Sequence, residues 1–168
     1  MTVDATLDAD AVLGGFDLPD AFTFCTLHRA ATVDDAELLS LALDCLDKVQ
    51  RHLPIILPMH PRTRSRIDHF GLKDRVKQMR DLVVVEPVGY RESLVLQKES
   101  MFVLTDSAGL QEESTVFKKP CLTMRPNTER PVTCEVGSAT LVDLDAGLVE
   151  QKTLEILEGR YKSGVIPE

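Results

Sequence analysis

Residues 101–117, MFVLTDSAGLQEESTVF, contain the unit from which the rest of the chain is built. An apolar run at 101–105 is followed by small, turn-forming residues at 106–109 and then by the spacing of a helix over 110–117. A strand, a tight turn and a helix in direct succession form the repeating unit of parallel sheets.

The same alternation continues on both sides of this stretch. Runs of this kind, apolar throughout and alternating with helices, predict a parallel sheet covered on both faces. We expect an α/β fold with a doubly wound parallel sheet, Rossmann-like in the broad sense, in one domain over residues 1–168. The predicted strands are 22–27, 54–59, 82–85, 101–105, 121–124 and 140–142, and the predicted helices are 34–51, 62–70, 90–99, 110–117 and 146–159.

Composition and charge argue against several classes of function. The net charge of −8 argues against a nucleic-acid surface, which is usually basic. The sequence contains no run of about eighteen apolar residues and therefore predicts no membrane span. Residues 1–10 lack the features of a signal peptide, so we expect a cytoplasmic protein. No cysteine pair has zinc-site spacing, and reduced structural thiols are expected at Cys25, Cys45, Cys121 and Cys134.

Most of the chemically unusual residues follow directly after predicted strands. In a doubly wound sheet, ligands bind outside the carboxyl ends of the strands. The loops that we expect to form a binding site are therefore 28–32, 60–63, 86–90, 106–109 and 125–131.

The loop at 106–109 and the helix after it have the pattern of an anion site. Small residues let a ligand approach the backbone, and the first N–H groups of the helix suit a pyrophosphate. Glu113, one turn into the helix, can accept hydrogen bonds from the hydroxyls of a ribose. The alternative is that Asp106 or Ser107 simply caps the helix.

Three further groups of residues offer phosphate or proton chemistry. Arg125 and Arg130 lie in a loop bracketed by prolines, where they can form forked contacts to phosphate. The alternative is a surface loop with a Glu129–Arg130 pair. His28 and His60 each begin a loop that also carries an arginine, and either bind phosphate and move protons or act as capping residues.

The loop motifs, taken together, resemble the C-terminal domain of the non-hydrolysing UDP-N-acetylglucosamine 2-epimerases, over residues 3–168. They occur in the order found in that family: HR at 28–29, HPRT at 60–63, EPVGY at 86–90, LTDSAGLQEE at 104–113, KPCLTMR at 119–125 and NTERP at 127–131.

The resemblance implies one half of a two-domain, glycosyltransferase-B-like fold with its active site between the domains. The family interconverts UDP-GlcNAc and UDP-ManNAc by eliminating and re-adding UDP, without a nicotinamide or metal cofactor. It places His28 at the catalytic cleft and Arg130 at the diphosphate, and puts Arg29 and His60 where some members bind a second, activating UDP-GlcNAc. The other UDP-binding positions that it implies are Arg62, Val88, Ser93, Ser107, Ala108, Gly109 and Glu113.

Several positions depart from the family pattern. Ala31 and Thr32 replace a Glu-Asn pair, Ala108 replaces a glycine, and Ser93 stands where an aromatic residue is expected near the uracil. Loss of that ring should weaken base binding by roughly 1–3 kcal/mol.

The family's N-terminal domain supplies the carboxylates that move the C2 proton, and we expect this domain and the final crossing helix to be absent here. The chain is therefore expected to bind UDP or a UDP-N-acetylhexosamine without turnover. Its expected partners are a missing N-terminal domain or subunit, or a second copy docking on an exposed apolar surface. The alternatives are a catalytically inactive nucleotide-sugar-binding or regulatory domain and a glycosyltransferase domain of the same architecture.

Overall fold

The predicted doubly wound parallel sheet is confirmed. The structure is a computed structural model that describes residues 18–166. In this range six strands pair in parallel in the order β3-β2-β1-β4-β5-β6. Their bounds are Thr23–Thr26 (β1), Ile55–Pro58 (β2), Leu82–Val85 (β3), Phe102–Thr105 (β4), Cys121–Thr123 (β5) and Ala139–Leu141 (β6).

Helices connect the strands. Over residues 18–166 they are Ala30–Val33 (α1), Ala36–Gln50 (α2), Pro61–His69 (α3), Lys73–Gln78 (α4), Tyr90–Glu99 (α5), Ala108–Val116 (α6), Pro131–Glu135 (α7) and Ala146–Leu157 (α8). Three of these helices were not predicted from the sequence, α1, α4 and α7, which have four to six residues. Segments this short complete too few turns to show a helical period. Residues 1–10, for which the sequence predicts no signal peptide, lie outside the described residues.

The core has two layers, one on each face of the sheet. Alternate residues of the central strands point in opposite directions, so that Leu104 of β4 belongs to one layer and Val103 to the other. The first layer includes apolar residues of α2, α3 and α8, and the second includes those of α5. This two-sided burial explains why the strands are apolar throughout.

The strand order reverses between β1 and β4. The chain builds the sheet outward through β2 and β3, then crosses back to β4 on the other side of β1. A hydrogen bond of 2.6 Å joins the hydroxyls of Thr26 and Thr105 at the carboxyl ends of these two strands. Such a switch point opens a crevice between the loops that follow the two strands. No helix between residues 18 and 166 has the length and apolar character needed to cross a membrane.

Candidate functional site

Asp106 ties together the two loops that border the switch point. It follows β4 directly and is fully buried. Its Oδ2 accepts hydrogen bonds from the backbone N–H groups of His28, at 2.9 Å, and Arg29, at 2.8 Å. A charged acceptor shared by two amides makes strong bonds, so the start of the first loop is held in one position relative to β4.

The alternative that Asp106 or Ser107 caps α6 is wrong. The Asp106 carboxylate faces the loop after β1, and the side chain of Ser107, at the N-cap position, makes no capping hydrogen bond. The start of α6 therefore carries the partial positive charge of a helix N-terminus without a side-chain oxygen from either residue.

A hollow of about 220 Å³ lies beside this tie, and we call it the switch-point hollow. Four of the predicted site residues line it: His28, His60, Val88 and Ser93. The rings of His28 and His60 lie 5.5 Å apart between centroids, at 30° to each other. Loops that follow β1, β2 and β3 thus contribute to one cavity with apolar walls and two imidazoles.

The start of α6 borders the switch-point hollow. Leu110 lines the hollow, and Ser107, Ala108 and Gly109 lie just before it along the helix. A methyl group at Gly109 would meet only the Ser107 Oγ, at 3.6 Å, so the backbone is open to a ligand here. These residues do not line the hollow itself, and the anion site predicted for them lies next to it.

Glu113 is held inside the protein. Its side chain is 8% exposed, and its Oε2 accepts a hydrogen bond of 2.6 Å from the Gln97 side-chain amide of α5. Burial raises the pKa of Glu113, which the bond from Gln97 opposes. The residue is therefore a fixed acceptor that joins α5 to α6.

The arginines of the 125–131 loop are both paired with carboxylates. Arg125 is 3% exposed and donates to Glu129 from both terminal nitrogens, at 2.7 and 2.5 Å. The Arg130 Nε donates to Glu112 Oε1 at 2.5 Å. The predicted Glu129–Arg130 pair is therefore not an ion pair: Arg130 donates to Glu129 only at its backbone carbonyl, at 3.3 Å. The bond from Arg125 lowers the pKa of Glu129 to about 2.

Arg29 and Arg62 lie in different surroundings. The pKa of Glu129 is lowered mainly by its hydrogen bond from Arg125, and the charge of Arg29 adds a smaller effect. Arg62 forms a fork with Asp34, at 3.0 and 2.7 Å, and is not among the residues that line the switch-point hollow. The N-cap of α2 is the next residue, Asp35, whose side chain accepts a hydrogen bond of 2.9 Å from the Leu38 N–H.

Two positioning contacts were missed from the sequence. The first is Asp106, whose place before a helix suggested a cap. The second is Thr63, whose hydroxyl donates to the Leu27 carbonyl and joins α3 to the end of β1. Both depend on contacts between distant parts of the chain, which local patterns do not show. Within residues 18–166 no group of three or more metal-ligating side chains comes together.

The fold and site together define a class. A parallel doubly wound sheet that presents a helix start, two histidines and an apolar hollow at its switch point is a ligand-binding α/β domain suited to nucleotides. Residues 2–165 match the family model "UDP-N-acetylglucosamine 2-epimerase", and the chain belongs to this family.

Curated relatives and solved structures agree with this assignment. The UDP-N-acetylglucosamine 2-epimerase of Methanocaldococcus jannaschii is 42% identical over 127 residues, covering 74% of this chain and 35% of the relative. The UDP-2,3-diacetamido-2,3-dideoxy-D-glucuronate 2-epimerase of Pseudomonas aeruginosa is 44% identical over 126 residues, covering 73% and 33%. A crystal structure of the M. jannaschii UDP-GlcNAc 2-epimerase with UDP-GlcNAc and UDP superposes with a TM-score of 0.78 at 38% identity, covering 86% of this chain and 41% of that one. The chain therefore spans between a third and about two fifths of the length of these relatives.

Proposed function

We propose that this chain is the UDP-binding half of a UDP-N-acetylglucosamine 2-epimerase, which interconverts UDP-GlcNAc and UDP-ManNAc by eliminating and re-adding UDP. The observation that carries the proposal is the switch-point hollow, where His28 and His60 lie beside the open start of α6. Family membership and the ligands of the M. jannaschii structure support the same substrate class.

In this proposal each part of the site holds one part of the nucleotide. The N–H groups at Ser107, Ala108 and Gly109 bind the diphosphate at the helix start. Glu113 accepts from the ribose hydroxyls, and Val88 and Ser93 of the hollow contact the base. This arrangement suits an elimination, because fixed donors stabilise the negative charge that grows on the departing UDP.

Arginines near the site bind phosphate by giving up their carboxylate partners. Arg130 is held by Glu112, and a diphosphate is a stronger bidentate partner for a guanidinium than one carboxylate oxygen. Binding then releases Glu112 to solvent. His28 lies at the edge of the hollow with its backbone fixed by Asp106, where its imidazole can exchange a proton with the leaving group. Arg29 and His60 bind the second nucleotide sugar, and Arg62 joins them once Asp34 is displaced.

The proton at C2 of the sugar needs an acid and a base. Among residues 18–166 no carboxylate lines the switch-point hollow, and we place these groups in another domain that closes over it. The chain is accordingly one UDP-binding domain over residues 1–168, active only with that partner. The alternative is a catalytically inactive nucleotide-sugar-binding domain, which is favoured by Ser93 in the wall of the hollow.

Titration calorimetry with UDP tests the binding half of the proposal. Arg130→Ala should weaken UDP binding by at least about tenfold, or 1.4 kcal/mol. Arg160→Ala is the matched control, because Arg160 is an exposed arginine paired with Glu158, away from the switch point. Equal affinities of the two variants would remove Arg130 from the site, and no heat with millimolar UDP would refute the proposed ligand.

An epimerisation assay then separates the two alternatives. The chain is incubated with UDP-GlcNAc alone and with an added N-terminal epimerase domain. UDP binding with turnover only in the second mixture supports the enzyme half. Binding with no turnover in either mixture supports the inactive binding domain.

A further inference from the structure

A second surface of the protein has a chemistry that the nucleotide site does not use. The segment 61–80, which forms α3 and α4, carries seven lysines and arginines against two aspartates, a net charge of +5 in a chain of net charge −8. Arg62 and Arg66 are paired with Asp34, and Arg75 with Asp44. The other lysines and arginines of the segment include Arg64, Lys73 and Lys77.

A groove runs between these helices and the edge strand β3, and we call it the edge groove. Its inner part is a hollow of about 230 Å³ with an apolar floor of Met59, Ile67, Val76 and Val84. It continues past Arg64 towards the end of β3. With its apolar floor, the inner hollow can receive a single apolar side chain.

Three cations surround the apolar floor. Lys73 and Lys77 are four residues apart on α4 and so project from the same side of the helix. Within residues 18–166 neither lies in ion-pair distance of a carboxylate. Arg64 is held only by a contact of 3.7 Å with Glu86, whose side chain is 88% exposed. Asp68 is the single acidic residue that lines the inner hollow.

The open side of β3 offers backbone hydrogen-bonding groups beside this groove. β3 is the last strand on its side of the sheet. The carbonyls of Asp81 and Val85 accept from β2, so the alternation of a strand turns the peptide groups of Val84 to the open edge. Val83 and Val84 are 39% and 37% exposed, so both faces of the sheet are partly exposed at this edge.

We propose that the edge groove binds an extended acidic segment of another protein, which adds to β3 as a further strand. Such strand addition uses backbone hydrogen bonds for affinity and pockets for alternate side chains for specificity. One apolar side chain of the segment occupies the inner hollow, and its acidic neighbours meet Arg64, Lys73 and Lys77.

The charge pattern argues against a second copy of this chain as the occupant. Pairing two β3 strands would bring two sets of the same cations together, and like charges beside an edge strand oppose such pairing. The inner hollow of the groove shares no lining residue with the switch-point hollow, and the outer part of the groove meets that hollow only at Pro87. Segment binding is therefore expected to leave UDP binding unchanged.

Fluorescence anisotropy with a labelled peptide of about seven residues, alternating Glu with Val or Ile, tests the proposal on the full chain. The double variant K73E/K77E should bind it at least about tenfold more weakly. K118E/K119E, with the same charge change on the turn after α6, is the matched control and should bind like the unmodified protein. A peptide with Lys in place of Glu should not bind.

The variant V84P tests strand addition itself. Proline is tolerated on edge strands where its nitrogen faces solvent, so V84P removes one outward N–H and leaves the pairing with β2 in place. It should weaken peptide binding while UDP binding and the circular dichroism spectrum stay unchanged. The proposal fails if K73E/K77E binds the peptide like the control, if V84P folds and binds it unchanged, or if V84P abolishes a self-association seen by sedimentation.

Discussion

Replacing Asp106 by Asn should loosen the switch point more than any other change of one atom in this protein. The side chain keeps its shape and loses its charge. Asp106 is fully buried, and one of its oxygens holds the backbone N–H groups of His28 and Arg29. Its other oxygen, Oδ1, is buried without a hydrogen-bond partner. The substitution therefore acts on two bonds and on one unpaired position.

The expected loss of stability is about 2–3 kcal/mol. A hydrogen bond to a charged group contributes about 1.5–3 kcal/mol and a neutral one about 0.5–1.5, so two weakened bonds cost about 2 kcal/mol together. The asparagine amide replaces an oxygen that already lacks a partner, so that exchange adds little. Arg125 loses a nearby negative charge, since Asp106 raises the pKa of Arg125, and this adds a smaller cost.

Urea unfolding measures this difference. With an m-value of about 2 kcal/mol per M, the midpoint should fall by about 1 M. Asp35→Asn is the control, because Asp35 is an exposed helix cap and asparagine caps about as well as aspartate. A midpoint for Asp106→Asn that coincides with that of Asp35→Asn would show that the tie between the two loops does not stabilise the fold. UDP affinity, measured on the same variant, should fall as well because the loop of His28 becomes mobile.

Three further outcomes follow from individual residues. Under native conditions at pH 8 a thiol reagent should label only Cys134, since burial raises the pKa of the other three cysteines; mass spectrometry of Cys134→Ser should then show no label. Pairing with Arg125 lowers the pKa of Glu129 to about 2 in the folded protein, from its usual 4.5. The pair therefore stabilises the protein fully above pH 4.5, and this stability is lost as the pH falls towards 2. Thermal unfolding should show that the stability advantage over Glu129→Gln disappears across that range. Gly137→Ala should cost about 1–3 kcal/mol, because its methyl group would lie 2.5 Å from a backbone oxygen, whereas Gly109→Ala, with a nearest contact of 3.6 Å, should change the unfolding free energy by less than about 1 kcal/mol.

The sheet was readable from the sequence because each strand is a continuous apolar run. Burial on both faces removes the polar alternation that a half-exposed strand would show, and this made β1, β2 and β4 clear. The order of the strands in the sheet could not be predicted in the same way, because it depends on which strands pair in the folded protein and not on the local apolar pattern. The short helix α7 was missed because its five residues follow a loop rich in proline and charge.

The site was only partly readable from the sequence. The rule that ligands bind after parallel strands placed His28 and His60 together, and their rings are 5.5 Å apart. The same rule gave no guide to the ion pairs of Arg62 and Arg130, because their partners, Asp34 and Glu112, are distant in sequence. The partner of a long flexible side chain depends on tertiary structure, and spacing along the chain does not specify it.

A net charge of −8 and a diphosphate ligand are compatible because of how the cations near the site are held. Arg125 and Arg130 are each paired with a carboxylate. Arg125 is buried, so a phosphate group that takes the place of its carboxylate leaves the desolvation of the guanidinium almost unchanged and costs less than burying a new ion pair. Arg130 is half-exposed, and its exchange is favoured instead by the larger number of acceptor oxygens on a diphosphate. The carboxylates therefore keep the arginines oriented and compete with the ligand for them. An anion with more acceptor oxygens, such as a diphosphate, can displace them. On this reasoning Glu112→Gln should bind UDP more tightly than the unmodified protein, whereas net charge alone predicts only a small general effect.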